Sequence, residues 1–400
     1  MKAIEHGSIL SPRGFRAGFS RCGIKTAAGV PDVALLVSDT PAAAAAVFTT
    51  NKFAAAPVQW DRSILPTDRL RAVVVNSGNA NACTGERGMK DARATAALVA
   101  SLVGCKPRQV AVASTGIIGH PLPMAKLTRG ARDAFAALSA AQAAARGAER
   151  AIMTTDTRPK SSAVETKIGG KAVRVGGMCK GSGMISPRMA TMLAFVTTDV
   201  QAGAARLARI VKRAADQTFN RITVDGDSST NDTVLVIASG ASGAALPASG
   251  AGARAFEQAL LHVMRDLSRQ IVRDGEGATK LIEITVTGAR SEADAARAAR
   301  AIANSPLVKC AVHGGDPNWG RIVCAAGYSG ADLAPQKVRL DLGGVTVFRR
   351  GLPTGADAAR EVAGKDVQVL IHLGVGTSMA TVWTCDLSKD YITINAEYHT

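Results

Sequence analysis

Short aliphatic runs that end in small polar residues alternate along the chain with Ala-rich amphipathic stretches. AVVVNSG (72–78), QVAVASTG (109–116), MLAFVTTD (192–199) and TVLVIASG (233–240) carry the β-branched, Ser- or Gly-terminated pattern of buried strands. GMKDARATAALVASLVG (88–104) predicts a helix stopped at Gly104, and the stretches 130–152 and 205–219 predict two more. Phe256, Leu260, Val263, Leu267 and Ile271 recur at three- and four-residue spacing and line one face of a further helix. A turn-rich segment, MTTDTRPK (153–160), precedes a two-strand piece around KIGGKAVRVGG (167–177). The C-terminal part reads as a strand (280–288), a helix (291–305), and then KVRLDLGG, VQVLIHLG and ATVWTCDLS in hairpin-like succession. Strands and helices mix without a strict βαβ repeat, which predicts α+β layers over a doubly wound parallel sheet. The Gly/Ala/Ser stretch 241–253 is the expected flexible loop.

Composition narrows the class. The 400 residues are 47% hydrophobic and 20% charged, a globular balance. No apolar run approaches the roughly 20 residues needed to span a bilayer, so no membrane partner is expected. The N-terminus, MKAIEHGSILSPRGFRAG, carries Glu5 and His6 and has no apolar core of a secretory signal; a cytoplasmic protein is expected. The seven cysteines stand singly, without a CxxC pair, and there is no HExxH. They read as reduced, mostly buried thiols, and no metal centre is expected.

The formal net charge of +16 raises the question of nucleic acid. Residues 1–190 hold 26 Lys and Arg against 11 Asp and Glu, leaving 22 against 21 for residues 191–400. The basic half has no long Lys/Arg block, and aromatic residues are only 4%, so stacking platforms are poorly supplied. Nucleic acid is therefore not the expected partner. A diffuse positive field also attracts small carboxylates.

Eight stretches are too rich in small and polar residues for ordinary elements: 75–85, 112–119, 153–160, 180–193, 225–233, 275–280, 313–321 and the tail 394–400. Any one of them is compatible with plain turn chemistry. Eight in one chain, several directly after strands, point to loops that converge on a site. None fits a phosphate-binding spacing: VGGMCKGSG is not GxxxxGK[ST], and no GxGxxG follows a strand. No GxSxG elbow of a Ser-His-Asp hydrolase occurs either.

The run KGSGMISPRMATMLAFVTTD (180–199) resembles the self-cleavage and nucleophile segment of the ornithine acetyltransferase family. The resemblance extends, in order, over NSGNAN, STGIIG, IMTTDT, DGDSSTNDT, EGATK, DPNWGR and the closing DLS…Y…NAEY. It implies a layered α/β/β/α sandwich with N-terminal-nucleophile logic. It also implies self-cleavage between Ala190 and Thr191, giving a 1–190 alpha chain and a 191–400 beta chain intertwined in one catalytic unit. The pieces are expected to associate, as a heterotetramer of two each. The implied reaction moves the acetyl group of N2-acetyl-L-ornithine to L-glutamate, in arginine biosynthesis. No cofactor is required; acetyl-CoA is admitted as a co-substrate, although no CoA-phosphate signature is recognisable.

The chemistry is coherent with those residues. A Thr hydroxyl is a weak nucleophile that needs a base, and a freed Thr191 α-amine, with a reference pKa near 8, supplies one. The resemblance assigns the oxyanion site to Thr115 and Gly116, and substrate contacts to Thr154, Lys180, Thr191, Glu276, Asn395 and Thr400. Lys180 suits a substrate carboxylate and Glu276 a substrate amine. Read without the resemblance, Thr191 opens a strand, Thr115 is a turn or cap residue, and Lys180 and Glu276 are solvated surface charges. Arg188 and Cys179 depart from the residues common in the family at those places. The competing class is an N-terminal-nucleophile aminopeptidase or amidohydrolase of similar fold, in which water replaces glutamate as acceptor.

Overall fold

A computed structural model describes residues 1–26, 29–186 and 192–397. Nine strands build one sheet: β1 (Lys2–Ala3), β2 (Phe15–Ser20), β3 (Val33–Phe48), β4 (Thr67–Asn79), β5 (Val110–Ile117), β6 (Lys160–Ile168), β7 (Lys171–Lys180), β8 (Leu193–Thr198) and β9 (Thr233–Ala238). They run in the order β1-β6-β7-β8-β9-β3-β4-β5, with β2 beside β3.

β3 makes this one sheet into two layers. Its first half pairs with β2 and β4, its second half with β9, and the β4 register shifts between Val37 and Ala44, around Pro41. A proline has no N–H to give to a ladder, so pairing changes there. The two halves then face each other: Leu36, Val73, Val75 and Ala113 on one side meet Met178, Leu193, Phe195 and Leu235 on the other. The opposite face of the first half is covered by α1 (Ala56–Ile64), α2 (Gly85–Val103) and α3 (Met124–Ala136). The alanines of α4 (Gln142–Ala151) join the inner layer. The outer face of the second half is covered by α5 (Ala204–Asp216) and α6 (Ala251–Arg273), where the expected face of Phe256, Leu260, Val263, Leu267 and Ile271 is fully buried. The arrangement is the expected α/β/β/α sandwich. Its strands obey the period-2 rule: Leu193 and Phe195 point inward, Ala194 and Val196 toward the helices.

The remaining chain forms a second, mixed sheet. Its strands are β10 (Leu281–Ala289), β11 (Arg339–Leu342), β12 (Val345–Arg349), β13 (Leu352–Pro353), β14 (Asp366–His372) and β15 (Ser378–Cys385), in the order β13-β12-β11-β14-β10-β15. α7 (Glu292–Ala303), α8 (Pro306–His313), α9 (Trp319–Gly327) and the short α10 (Ala359–Ala363) contribute to the core on one face. β14 alternates exposed and buried residues throughout, so the other face meets solvent. Leu281, Trp383 and Cys385 join the α5–α6 core and tie the two units together. α11 (Lys389–Glu397) ends the described chain.

Three expectations need correction. The stretch 130–152 is not one helix: α3 ends at Ala136 and α4 starts at Gln142, because Ser139 exchanges backbone hydrogen bonds with Ala17 of β2. The stretch 241–253 is tethered: Arg206 donates to the carbonyls of Leu246, Pro247 and Ala248, and Ser242 to that of Asp199. The cysteines are all free, but only Cys22, Cys179 and Cys385 are buried; Cys83, Cys310 and Cys324 are exposed. Among the described residues no helix is long and apolar enough to cross a membrane.

Candidate active site

The β6–β7 hairpin turns at Gly169 and Gly170, both at positive φ, and so brings Lys160 at its start opposite Cys179 near its end. Lys160 is buried and its ammonium is clamped by two carboxylates, Asp156 at 2.6 Å and Asp274. Asp156 folds the MTTDT turn. One of its oxygens accepts from the Thr154 N–H (3.0 Å), the other from the Gly181 N–H (2.7 Å). Burial alone would raise Asp156, but Lys180, Lys160 and the Gly181 N–H outweigh it and hold the carboxyl at about 2.

Lys180 ends β7 beside this cluster, opposite Leu193 of β8. It is only 2% exposed, which corrects the surface reading. Its ammonium makes no hydrogen bond to any described residue. Burial pushes its pKa down; Asp156, Glu276 and Asp232 oppose that, while Lys160 adds to it. This buried cation is ringed by carboxylates, and none of the described residues takes a hydrogen bond from it.

Glu276 reaches the same place from the loop after α6. Its N–H donates to Ser182 O at 2.8 Å, and its carboxylate lies against Gly183, where a Cβ would come within 2.4 Å of the carboxyl carbon. Asn395 on α11 donates to the Glu276 carboxylate at 3.0 Å. The tail helix docks because Gly277, at φ +68, lets Tyr391 N approach where a Cβ would stand at 2.4 Å.

Thr115 and Gly116 sit at the end of β5, paired with Ser77 and Gly78 of β4. Gly116 has φ +130, and a Cβ there would lie 2.4 Å from Gly78 C, so only glycine permits this crossing. Thr115 is buried in the strand, not a helix cap. Asn231 sews this end to β9: its amide donates to Ser114 O (2.8 Å) and Ala80 O (2.7 Å). The adjacent Asp232 accepts from Met192 N at 3.1 Å. Thr154, Lys180, Glu276 and Asn395 therefore belong to one bonded and electrostatic cluster; Thr115 and Gly116 stand apart from it, next to Ser114, whose carbonyl Asn231 binds. Ala190, Thr191, Thr400 and Arg188 lie outside the described residues.

Other participants escaped the sequence reading. Asp156, Lys160 and Asp232 stand inside stretches already flagged for small polar composition, and that was the available signal. Asp274, directly before GEGATK, and Lys25 gave none. Lys25 donates to Pro31 O (3.0 Å) and Ala151 O (3.4 Å), and burial brings its ammonium down to about 8 against the pull of Asp32 and Asp156. His313, just before DPNWGR, pairs with Asp386 at 2.7 Å, and Asp386 also accepts from the Thr279 and Lys280 amides at the entry to β10. A groove of about 1330 Å³ beside Lys52, Phe53, Arg87 and Lys90 contains none of the expected site residues. Among the described residues no three His, Cys, Asp or Glu side chains are grouped to hold a metal.

The chain is similar to known proteins over nearly its whole length. The ArgJ family model matches residues 16–400. The arginine biosynthesis bifunctional protein ArgJ of Symbiobacterium thermophilum is 52% identical over 400 residues, covering 98% of this chain and 99% of its own. The glutamate N-acetyltransferase of Methanocaldococcus jannaschii is 44% identical over 414 residues, covering all of both chains. The crystal structure of the arginine biosynthesis bifunctional protein argJ from Bacillus halodurans is similar with a TM-score of 0.50 and 42% identity, over 51% of this chain and 98% of that one. With the family model and full-length relatives in agreement, the chain belongs to the ArgJ family.

Proposed function

We propose that this protein is a glutamate N-acetyltransferase of arginine biosynthesis that takes its acetyl group from N2-acetyl-L-ornithine and carries it on Thr191. The names of its full-length relatives support the reaction class and pathway. The observation that carries the reading is the buried ammonium of Lys180, bonded to none of the described residues, under the electrostatic pull of Asp156, Glu276 and Asp232 and paired in register with Leu193 at the start of β8. Lys180 takes the α-carboxylate shared by acetylornithine and glutamate, and Glu276, held by Asn395, takes the ornithine side-chain amine. The Thr191 hydroxyl attacks the acetyl carbonyl, and the tetrahedral oxyanion is received at Thr115 and Gly116. Ornithine leaves, glutamate enters the same carboxylate position, and its amine takes the acetyl group. Thr154 and Thr400 complete the substrate contacts.

The nucleophile is freed by a break between Ala190 and Thr191, after which residues 1–190 and 191–400 remain one catalytic unit, assembled as two of each. The match to a solved relative that spans about half of this chain but nearly all of its own supports a two-piece enzyme. Acetyl-CoA enters as a second acetyl donor, in keeping with relatives described as bifunctional; no bound cofactor is needed, because the acetyl group travels on the protein. The substrates and pathway fit a cytoplasmic enzyme.

Denaturing mass spectrometry tests the reading directly. Wild-type protein is expected as two species broken at Ala190–Thr191, and acetylornithine alone is expected to add one acetyl group to the 191–400 piece. Glutamate is then expected to remove it as N-acetylglutamate. Thr191→Ala is expected to stay whole and to lose transfer entirely; substantial turnover by that variant overturns the nucleophile assignment.

A further inference from the structure

The two substrates of the proposed transfer share an α-carboxylate and differ in charge at the far end of the side chain. Acetylornithine ends in an ammonium, which Glu276 suits; glutamate ends in a second carboxylate, which Glu276 repels. One pocket that admits both needs a second cation near Lys180. Lys160 is not that cation, because Asp156 and Asp274 already clamp it.

Lys25 stands at the required place, on a loop built to hold it there. The loop leaves β2 and wraps around Asp32, a fully buried carboxylate. One Asp32 oxygen accepts from Cys22 N (2.7 Å), the other from Gly23 N (2.8 Å), Ile24 N (2.7 Å) and Lys25 N (3.2 Å). Successive N–H groups closed on one anion fix the loop. Asp32 is itself tied to β4, since its carbonyl accepts from Ser77 N at 2.9 Å. Lys25 then lies against Gly78: a Cβ there would come within 3.0 Å of Lys25 N and 3.1 Å of its Cγ. Gly78 is the register partner of Gly116, and Ser77 that of Thr115, so Lys25 flanks the strand ends assigned to the oxyanion. Its ammonium donates to Ala151 O, which also accepts from the Ser77 hydroxyl at 2.5 Å and lies three residues before Thr154. Among the described residues Lys25 Nζ bonds to carbonyls only, and the charges that act on it are Asp32, Asp156 and Lys180. At about 8, the half-buried ammonium keeps its charge at pH 7.

We infer that Lys25 receives the side-chain carboxylate of glutamate and so selects the acceptor, an inference that rests on the proposed acetyl transfer. Lys180 keeps the α-carboxylate in both half-reactions. Glu276 holds the far end of the donor and Lys25 the far end of the acceptor, so glutamate enters after ornithine without pressing a carboxylate on Glu276. The selection is by charge: glutamine, of the same shape but uncharged at that end, gains little from Lys25.

Acetyl transfer by the full-length enzyme from acetylornithine to glutamate or to glutamine tests this. Lys25→Gln keeps donors for the Pro31 and Ala151 carbonyls but has no charge; Lys25→Met replaces it should the Gln variant not fold, and Lys25→Arg keeps the charge. Cooperative melting checks the fold of each. Lys25→Gln is expected to raise the glutamate KM about thirtyfold and to cut the preference for glutamate over glutamine, in kcat/KM, by about as much. Acetyl loading from acetylornithine is expected to slow by no more than about threefold, and Lys25→Arg to keep most of the preference. A folded neutral variant with the wild-type preference overturns the inference. So does one in which loading and transfer fall together, which makes Lys25 a support for the strands it lies against. A wild-type enzyme that takes no acetyl group from acetylornithine overturns the proposed transfer itself, a failure seen without any variant, and Lys25's part falls with it.

Discussion

Lys309 in the second unit and Lys180 at the sandwich site are both almost completely buried, yet they are opposites. Lys309 spends its three protons on Val224 O at 2.7 Å, Cys385 O at 2.6 Å and the Thr384 hydroxyl at 3.1 Å. It is a bolt: every donor is matched, and the acceptors come from both units. Lys180 is no less buried, has carboxylates around it, and bonds to none of the described residues. Burial of a charge does not by itself mark function. Burial with the hydrogen bonds left open does, because folding alone gives no reason to keep such a group.

The sharpest way to break this contrast is to remove the ammonium at each place. Lys180→Met is expected to lower kcat/KM for acetylornithine by about two to three powers of ten, the usual loss when a buried charged partner of a ligand is removed, with cooperative urea unfolding retained. Burial lowers the Lys180 pKa, so its charge is lost on raising the pH sooner than that of a free lysine. The KM for acetylornithine is accordingly expected to climb on the alkaline side, and Lys180→Arg, charged throughout, to flatten that climb. Steady-state kinetics across pH decides both. Unchanged kinetics in Lys180→Met would return this residue to the same class as Lys309.

Lys309→Met is expected to behave in reverse. It takes the charged donor from the carbonyls of Val224 and Cys385, the latter left with only a long bond from the Thr384 hydroxyl, so stability falls by about 3 kcal/mol in urea unfolding while kcat/KM stays within a few-fold. A large kinetic loss at wild-type stability would dissolve the distinction. The smallest effect belongs to Asn395→Ala. Losing one hydrogen bond to Glu276 is expected to raise the acetylornithine KM about fivefold, since such a bond is worth about 1 kcal/mol, with glutamate KM changed less.

The legible parts of the molecule were those in which local chemistry and fold agree. β4, β5, β8 and β9 are β-branched and end in small polar residues, and they fell where the pattern placed them. β3 hides itself: Ala42–Ala46 is a five-alanine run with high helix propensity, yet it lies in a strand because its residues face packed layers on both sides. Ser139 looked helical because nothing local reports a pairing with Ala17, more than a hundred residues away. Thr115, Gly116, Thr154, Lys180, Glu276 and Asn395 stand out in the sequence only through their ordered motifs. Their individual residue types point to turns and surface charges. Asp274 and Lys25 stayed invisible because the partners that bury them are distant in sequence.

The register of β7 against β8, with Lys180 opposite Leu193, has a consequence for how the enzyme ages. A break between residues 190 and 191 severs the connection between these two neighbours but removes no rung from their ladder. Before the break, folding is a first-order event within one polymer. Afterwards, recovery from unfolding is a bimolecular search between a 190-residue fragment with seven strands of the nine-stranded sheet and a 210-residue fragment with the other two. The native state then persists by the height of its unfolding barrier and no longer by reversible equilibrium. Maturation would turn a protein that can refold into one that is used until it fails.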